Sequence, residues 1–173
     1  MKVSTFQHLV RIREKFGPGL FGKIAQKLLA LALCDTGFSY VVERGVQGVD
    51  VDATSSKGDK YTLEVKTTEG DSIYLSKENL DALRDRVADG YVPVIAALRL
   101  QMFEDWLFAK IPLSRVRRGS IPLARLRAYH IIELEALVCP TFEAVVNQHF
   151  TGVLARGERY LAELLAQRRQ GDT

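Results

Sequence analysis

Cysteine and histidine are scarce in this 173-residue chain. It has two of the first, Cys34 and Cys139, and three of the second, His8, His130 and His149. Two cysteines cannot build a disulfide framework, and none of these residues falls at metal-ligand spacing, which argues against a structural zinc site. Cys34 ends an apolar stretch and reads as a buried small side chain. The histidines read as helix-flank or partly buried residues. Long apolar runs are lacking too. The longest, Leu28–Cys34 and Val92–Leu98, have seven residues each, against the ~20 of a membrane helix. The opening MKVSTFQHLVRIREKF has neither the apolar block nor the small-residue cleavage site of a secretory signal. The expectation is a cytoplasmic protein with no membrane partner. Internal repeats and low-complexity segments are also missing.

What is present is an ordinary globular composition, 47% hydrophobic and 26% charged. The length supports one domain with a core, plus an appendage. The net charge of +3 hides a segregation. Residues 1–30 carry six Lys/Arg against one acid, residues 31–91 seven against twelve, and residues 92–173 eleven against eight. An acidic middle between basic ends suits a metal-binding centre with phosphate-binding margins. The densest basic stretch is Arg115, Arg117, Arg118, Arg125 and Arg127, with no acid between. Forked guanidinium groups at this density can grip a phosphate backbone.

Along the chain, Ser4 is placed to cap a first helix, with Phe6, Leu9 and Val10 as its apolar positions. Gly17-Pro18-Gly19 breaks it. A second helix from about Leu20 to Asp35 is apolar nearly all round and should be buried. Thr36-Gly37 stops it. Strand signals follow over Phe38–Glu43, Val49–Ala53, Tyr61–Thr68 and Ile73–Leu75. Val49, Val51 and Ala53 alternate with Asp50 and Asp52. Tyr61, Leu63 and Val65 point inward, with Thr62, Glu64, Lys66 and Thr68 outward. Ser55–Lys60 reads as the turn between the middle two. Ser76 starts a helix to about Ala88, ended by Gly90. Val92–Leu98 reads as a buried strand and Trp106–Ile111 as a further one. From Phe142 helical spacing runs to the end, weakened by Gly152 and Gly157.

Gly17-Pro18-Gly19-Leu20-Phe21-Gly22-Lys23 satisfies the glycine pattern of nucleotide-binding loops. Those loops need a strand before them, and the phosphate loop needs Ser or Thr after its lysine. Here a polar helix precedes and Ile24 follows. No nucleotide cofactor is expected, and the glycines read as a helix–helix corner.

The informative pattern is Asp50 followed, after thirteen residues, by Glu64-Val65-Lys66. Residues two apart on a strand share a face. A hairpin turn near Lys57 and Gly58 sets Glu64 opposite residues 50–52. Two carboxylates and an ammonium then converge. This set suits metal-assisted phosphodiester hydrolysis. Carboxylate oxygens of Asp50 and Glu64, with the Val65 carbonyl, fit Mg²⁺, for which Mn²⁺ can substitute. Such an ion polarises a phosphoryl group and acidifies bound water. Lys66 can orient that water and stabilise transition-state charge. Asp52 could replace Asp50 as ligand in a shifted register.

These residues carry a likeness. An apolar helix ending in Thr36-Gly37-Phe38 is followed by Val41-Val42-Glu43-Arg44, Gly48-Val49-Asp50-Val51-Asp52-Ala53 and Leu63-Glu64-Val65-Lys66-Thr67-Thr68. Ile73-Tyr74-Leu75-Ser76 and a helix then lead to Pro93-Val94-Ile95-Ala96. Over about residues 20–100 the chain resembles the PD-(D/E)XK nuclease superfamily, and within it the archaeal-type Holliday junction resolvases. The resemblance implies a restriction-endonuclease-like α/β fold, a mixed central sheet flanked by helices, here with a mainly helical C-terminal extension. It implies that Asp50, Glu64 and Lys66 are the metal and catalytic positions. Where the resolvases usually carry a glutamate on the first core helix, counting back from Phe38 reaches Gln26, which brings an oxygen but no charge. Val49 stands where the family has proline.

The expected organisation is an N-terminal helix over 1–19, a nuclease core over 20–112, and a basic segment with a helical extension over 113–173. The expected function is a Mg²⁺-dependent DNA endonuclease, resembling the Holliday junction resolvases and acting on branched or duplex DNA, and the expected assembly is a homodimer, because two copies supply sites for two strands. Lys23, Arg44, Thr68, Arg115, Arg117 and Arg118 are the candidate DNA contacts. A restriction or repair nuclease of the same superfamily is the alternative within the class. A DNA-binding or assembly protein with a degraded site is the alternative outside it, motivated by Gln26.

Overall fold

Five strands make the central sheet, and the sequence periodicities explain most of them. The computed structural model describes residues 1–44, 48–101 and 103–171. A long helix α1 (Val3–Asp35) leads into β1 (Tyr40–Glu43), β2 (Val51–Thr54) and β3 (Lys60–Thr68). Then come β4 (Ser72–Leu75), α2 (Lys77–Ala88), β5 (Val92–Arg99) and β6 (Leu107–Lys110). The last third forms β7 (Gly119–Pro122), α3 (Leu123–Arg127), α4 (Ile132–Arg156) and α5 (Glu158–Gly171).

The sheet order is β1-β2-β3-β5-β6. Among the described residues only β3 and β5 run parallel, with Glu64 beside Ile95 and Lys66 beside Ala97. The α2 crossover between β3 and β5 is what a parallel pair demands. β4 and β7 form a separate antiparallel ribbon. The result is a mixed sheet flanked by helices with a helical C-terminal part, as the sequence led us to expect.

Each sheet face has its own core. On one face Val51, Ala53, Leu63, Val65, Val94, Ala96 and Phe108 pack against α1, α4 and α5. On the other, Ile95, Ala97, Leu107 and Ala109 meet Leu80 and Leu83 of α2, Ile73 and Leu75 of β4, and Leu123 and Leu126 of α3. The alternation along β5 supplies both cores at once. Truncating any of the buried leucines to alanine would cost about 2–5 kcal/mol.

Local chemistry sets the ends. Ser76 caps α2: its side chain accepts from the Asn79 N–H, and the Asn79 side chain accepts from the Ser76 N–H. This reciprocal box satisfies two amide groups that a helix start leaves unpaired. At Gly17 α1 kinks, with φ +74° and ψ 167°. That conformation is open to glycine at little cost, and Pro18 then opens the second half of the helix. The glycine cluster is therefore the helix corner it was read as.

Several sequence expectations fail. Ser4 is not the first cap: α1 starts at Val3, and the Lys2 position before it makes no side-chain cap. The last helical stretch starts at Ile132, ten residues before Phe142, because α4 carries Pro140 within it rather than beginning after it. Gly157, at φ +60°, ends α4 and separates it from α5 instead of merely weakening one helix. Gly152 has a packing reason: a Cβ there would enter the Tyr160 ring. Cys34 is half-buried, not sealed, while Cys139 is buried and its thiol is pushed up to about 12, chiefly by burial. The outward face of β3 is not outward, since Thr62 and Glu64 are buried. β7 and α3 were not foreseen at all.

Candidate functional site

The site forms where β2 and β3 part. In the ladder Val51 pairs with Leu63 and Asp52 with Thr62. One residue earlier the Asp50 N–H donates to the Leu63 carbonyl at 3.1 Å, off that register. The extra residue acts as a bulge, which re-aims side chains and ends pairing. Val49 consequently packs with the α2-side core, while Val51 and Ala53 pack on the α1 side. This corrects the expectation that all three share a face.

The bulge frees the Asp50 carboxylate to act as a ladder acceptor. Its Oδ2 takes the Val65 N–H at 2.7 Å. On an extended strand a residue's N–H and C=O leave by the same edge, so the Val65 carbonyl also faces the Asp50 side. From the next position Glu64 points into the α2 side at 1% exposure. Its Oε1 receives Lys66 Nζ at 2.7 Å and Asn79 Nδ2 at 2.6 Å. Its Oε2 is buried with no hydrogen-bond partner among the described residues.

The electrostatics follow from this crowding. Burial raises the Asp50 pKa, the Val65 N–H and the Lys66 ammonium pull it back, and Glu43 raises it again. Burial and then the Asp50 charge push Glu64 up to about 7, against the pull of Lys66. Two desolvated carboxylates this near each other favour holding a proton when no divalent ion lies between them. A divalent ion would remove the need for it. The donor set fits a hard ion: two carboxylates, one with an orphaned buried oxygen, plus a strand carbonyl. No three His, Cys, Asp or Glu side chains group around a metal position among the described residues. Any such ion would have two acids and the backbone as its protein ligands.

Asp52 does not compete for this role. It is fully buried and takes Arg44 Nη2 at 2.8 Å and Arg86 Nη2 at 2.7 Å on Oδ2. The Arg86 guanidinium in turn lies over the Tyr91 ring, 3.9 Å from its centroid. With both guanidinium groups on it, Asp52 is engaged as an anchor, whereas the Asp50 carboxylate sits on the β3 edge at the Val65 N–H.

The remaining sequence candidates fall into three places. Gln26 meets the site from α1, with Nε2 at 3.3 Å from the Asp50 carbonyl oxygen. Lys23 is exposed one turn earlier and lines the same groove of about 300 Å³ as Asp50. Arg44 borders that groove and a larger one of about 620 Å³ that runs along α2, though its head is committed to Asp52. Thr68 sits at the far end of β3, where its hydroxyl donates to the Ser72 carbonyl and accepts from the Gly70 N–H, closing a turn. Arg115, Arg117 and Arg118 are exposed on the loop before β7, which Val116 pins to the α2-side core.

Sequence reasoning missed Asn79, Glu43, Lys27 and Arg86. Asn79 had a readable signal, the Ser-x-x-Asn helix start, which gave the cap but not the second bond to Glu64. The other three touch residues distant in sequence and gave no local sign.

No protein-family model matches this chain, and no curated protein matches it. Among solved structures it is similar to the Holliday junction resolvase Hjc of the archaeal hyperthermophile Archaeoglobus fulgidus, at 20% identity and a TM-score of 0.49, over 62% of this chain and 89% of that one.

Proposed function

We propose that this chain is a divalent-metal-dependent endonuclease that hydrolyses DNA phosphodiester bonds. One observation carries the reading: the Glu64 carboxylate is buried with an unsatisfied oxygen, beside Asp50 and under the Lys66 ammonium. A buried, half-satisfied carboxylate is costly and needs a reason. A cation at this place is the reason that also accounts for Asp50. Asp50, Glu64 and the Val65 carbonyl would hold Mg²⁺, with Mn²⁺ as substitute. The ion would polarise a phosphoryl oxygen and lower the pKa of bound water.

The chain's own groups do the rest. Asn79 and Lys66 fix Glu64 in one orientation through its Oε1. The Lys66 ammonium, partly exposed, can donate to a water or to a phosphate oxygen as negative charge gathers on it. Lys23 lies in the groove beside Asp50, and Arg117 and Arg118 present unburied guanidinium groups for the DNA backbone. The four-way junction is the first substrate to try, on the strength of the sequence resemblance. A homodimer would present two such sites to two strands.

A second reading, a DNA-binding or assembly protein without catalysis, is favoured by Gln26, whose amide faces the site with N–H rather than with a charge. One experiment separates the two. Four-way junction, flap, mismatched and linear duplex DNA are incubated with the protein, with and without Mg²⁺ or Mn²⁺. Metal-dependent nicks that a chelator abolishes support the nuclease. Intact DNA binding with no cleavage of any substrate supports the second reading and sinks the first. Cutting at one short palindrome would move the reading to a restriction enzyme of the same class.

A further inference from the structure

Two nitrogen donors from α1 line the groove beside Asp50. Gln26 Nε2 lies 3.3 Å from the Asp50 carbonyl oxygen and 3.4 Å from Glu43 Oε1. Both contacted atoms are acceptors, so the amide can only offer them its NH₂. Lys27 Nζ lies 3.0 Å from each oxygen of Glu43, and both side chains are only 14% exposed. Glu158 of α5 stands 3.7 Å from the same ammonium.

A centre that uses two divalent ions places them about 4 Å apart, each with anionic oxygens of its own. Glu43 and Glu158 both line the groove beside Asp50, and Glu43 is the one whose charge bears on Asp50. The Glu43 carboxylate already faces an ammonium across both oxygens and an amide N–H on one. A divalent ion arriving there would have to shed water, which Mg²⁺ does reluctantly. It would also have to displace a lysine that already holds both oxygens of Glu43.

We infer that the Lys27 ammonium, locked on Glu43, stands in for a second divalent ion, so that the centre takes one Mg²⁺ or Mn²⁺ per chain, on Asp50 and Glu64. Lys27 then supplies a fixed positive charge next to the ion, and Gln26 supplies the link that holds the Asp50 backbone to it. This inference rests on the nuclease reading above.

The test counts ions rather than turnover. Mn²⁺ is titrated into the intact chain and the unbound ion is measured by electron paramagnetic resonance. The wild type should bind one ion. Asp50→Asn should weaken that binding more than tenfold, whereas Glu43→Gln should leave the count at one. The double variant Gln26→Glu/Lys27→Met, which adds a carboxylate and removes the ammonium, should bind two. Two ions on the wild type would overturn the inference and leave the nuclease reading standing, whereas an ion lost in Glu43→Gln and kept in Asp50→Asn would overturn both the inference and the metal position of that reading. No ion on the wild type would overturn both. A folded double variant that still binds one ion would contradict the role given to Lys27. Because that variant could fail to fold, its melting curve is recorded, and the wild-type count with the Asp50→Asn and Glu43→Gln contrast decides without it.

Discussion

Lys66 Nζ rests 2.7 Å from Glu64 Oε1, two residues along the same strand, and the other Glu64 oxygen is buried without a partner. The pair is half of a charged centre: the lysine satisfies one oxygen and leaves the other for a ligand.

The raised pKa of Glu64 makes stability depend on pH. Burial and Asp50 lift it to about 7 from an ordinary 4.5. The folded state therefore holds the proton more tightly than the unfolded chain. Its stabilising contribution is complete below the ordinary value and is lost as pH rises toward 7. That loss is of the order of 3 kcal/mol without metal. Urea unfolding at about pH 5 and about pH 8, without metal, should show the wild type losing stability on the way up. Glu64→Gln should lose much less, and added Mn²⁺ should flatten the wild-type slope. An equal slope in wild type and variant would show that Glu64 keeps an ordinary pKa.

Asn79 has two jobs that can be separated. Ser76→Ala removes the cap alone and should cost about 1 kcal/mol with cleavage little changed. Asn79→Ala keeps the Ser76 cap on the backbone N–H but removes the reciprocal bond from the Ser76 N–H and the bond to Glu64, so it should cost a similar amount of stability and slow cleavage at least tenfold. Thermal melts and nicking rates on the two variants check this. Equal rates in both would reduce Asn79 to a capping residue.

Asp52 should behave as an anchor. Asp52→Ala leaves the Arg44 and Arg86 guanidinium groups facing each other with no anion between. The expected cost is about 3–5 kcal/mol, read as a lowered urea midpoint. The fraction that remains folded should bind Mn²⁺ as the wild type does. Loss of the ion without loss of stability would make Asp52 a ligand after all.

Much of this could be read in the sequence, for local reasons. The helix from Ser76, the turn at Gly58 and the buried run of β5 each follow from residues a few positions apart. Asp50, Glu64 and Lys66 could be brought together on paper because a hairpin fixes register over a short loop. What stayed hidden depends on distant contacts. The bulge at Asp50 shows no periodic sign, and it turns Val49 toward α2. Thr62 and Glu64 look like a solvated face until α2 covers them, which the parallel β3–β5 pair requires. α4 runs through Pro140, which the local pattern disfavours, so its start at Ile132 gave no clear sign. Gly119–Pro122 is too short, and too rich in glycine and proline, to announce a strand.

The basic loop should set affinity, not chemistry. Replacing Arg117 and Arg118 by alanine should weaken DNA binding whatever the sequence, and should lower the salt dependence of binding by about two phosphate contacts. Fluorescence anisotropy across a salt series gives both numbers. Unchanged binding would place the DNA elsewhere, nearer Lys23 and the groove beside Asp50.

The most direct test is nicking of a four-way junction in Mg²⁺ by the wild type, by Glu64→Ala and by Lys66→Ala, with DNA binding measured alongside. Cleavage by the wild type that falls by about a hundredfold or more in each variant, with binding retained, is the expected result. Cleavage that continues at the wild-type rate in both variants would contradict the assignment of this centre.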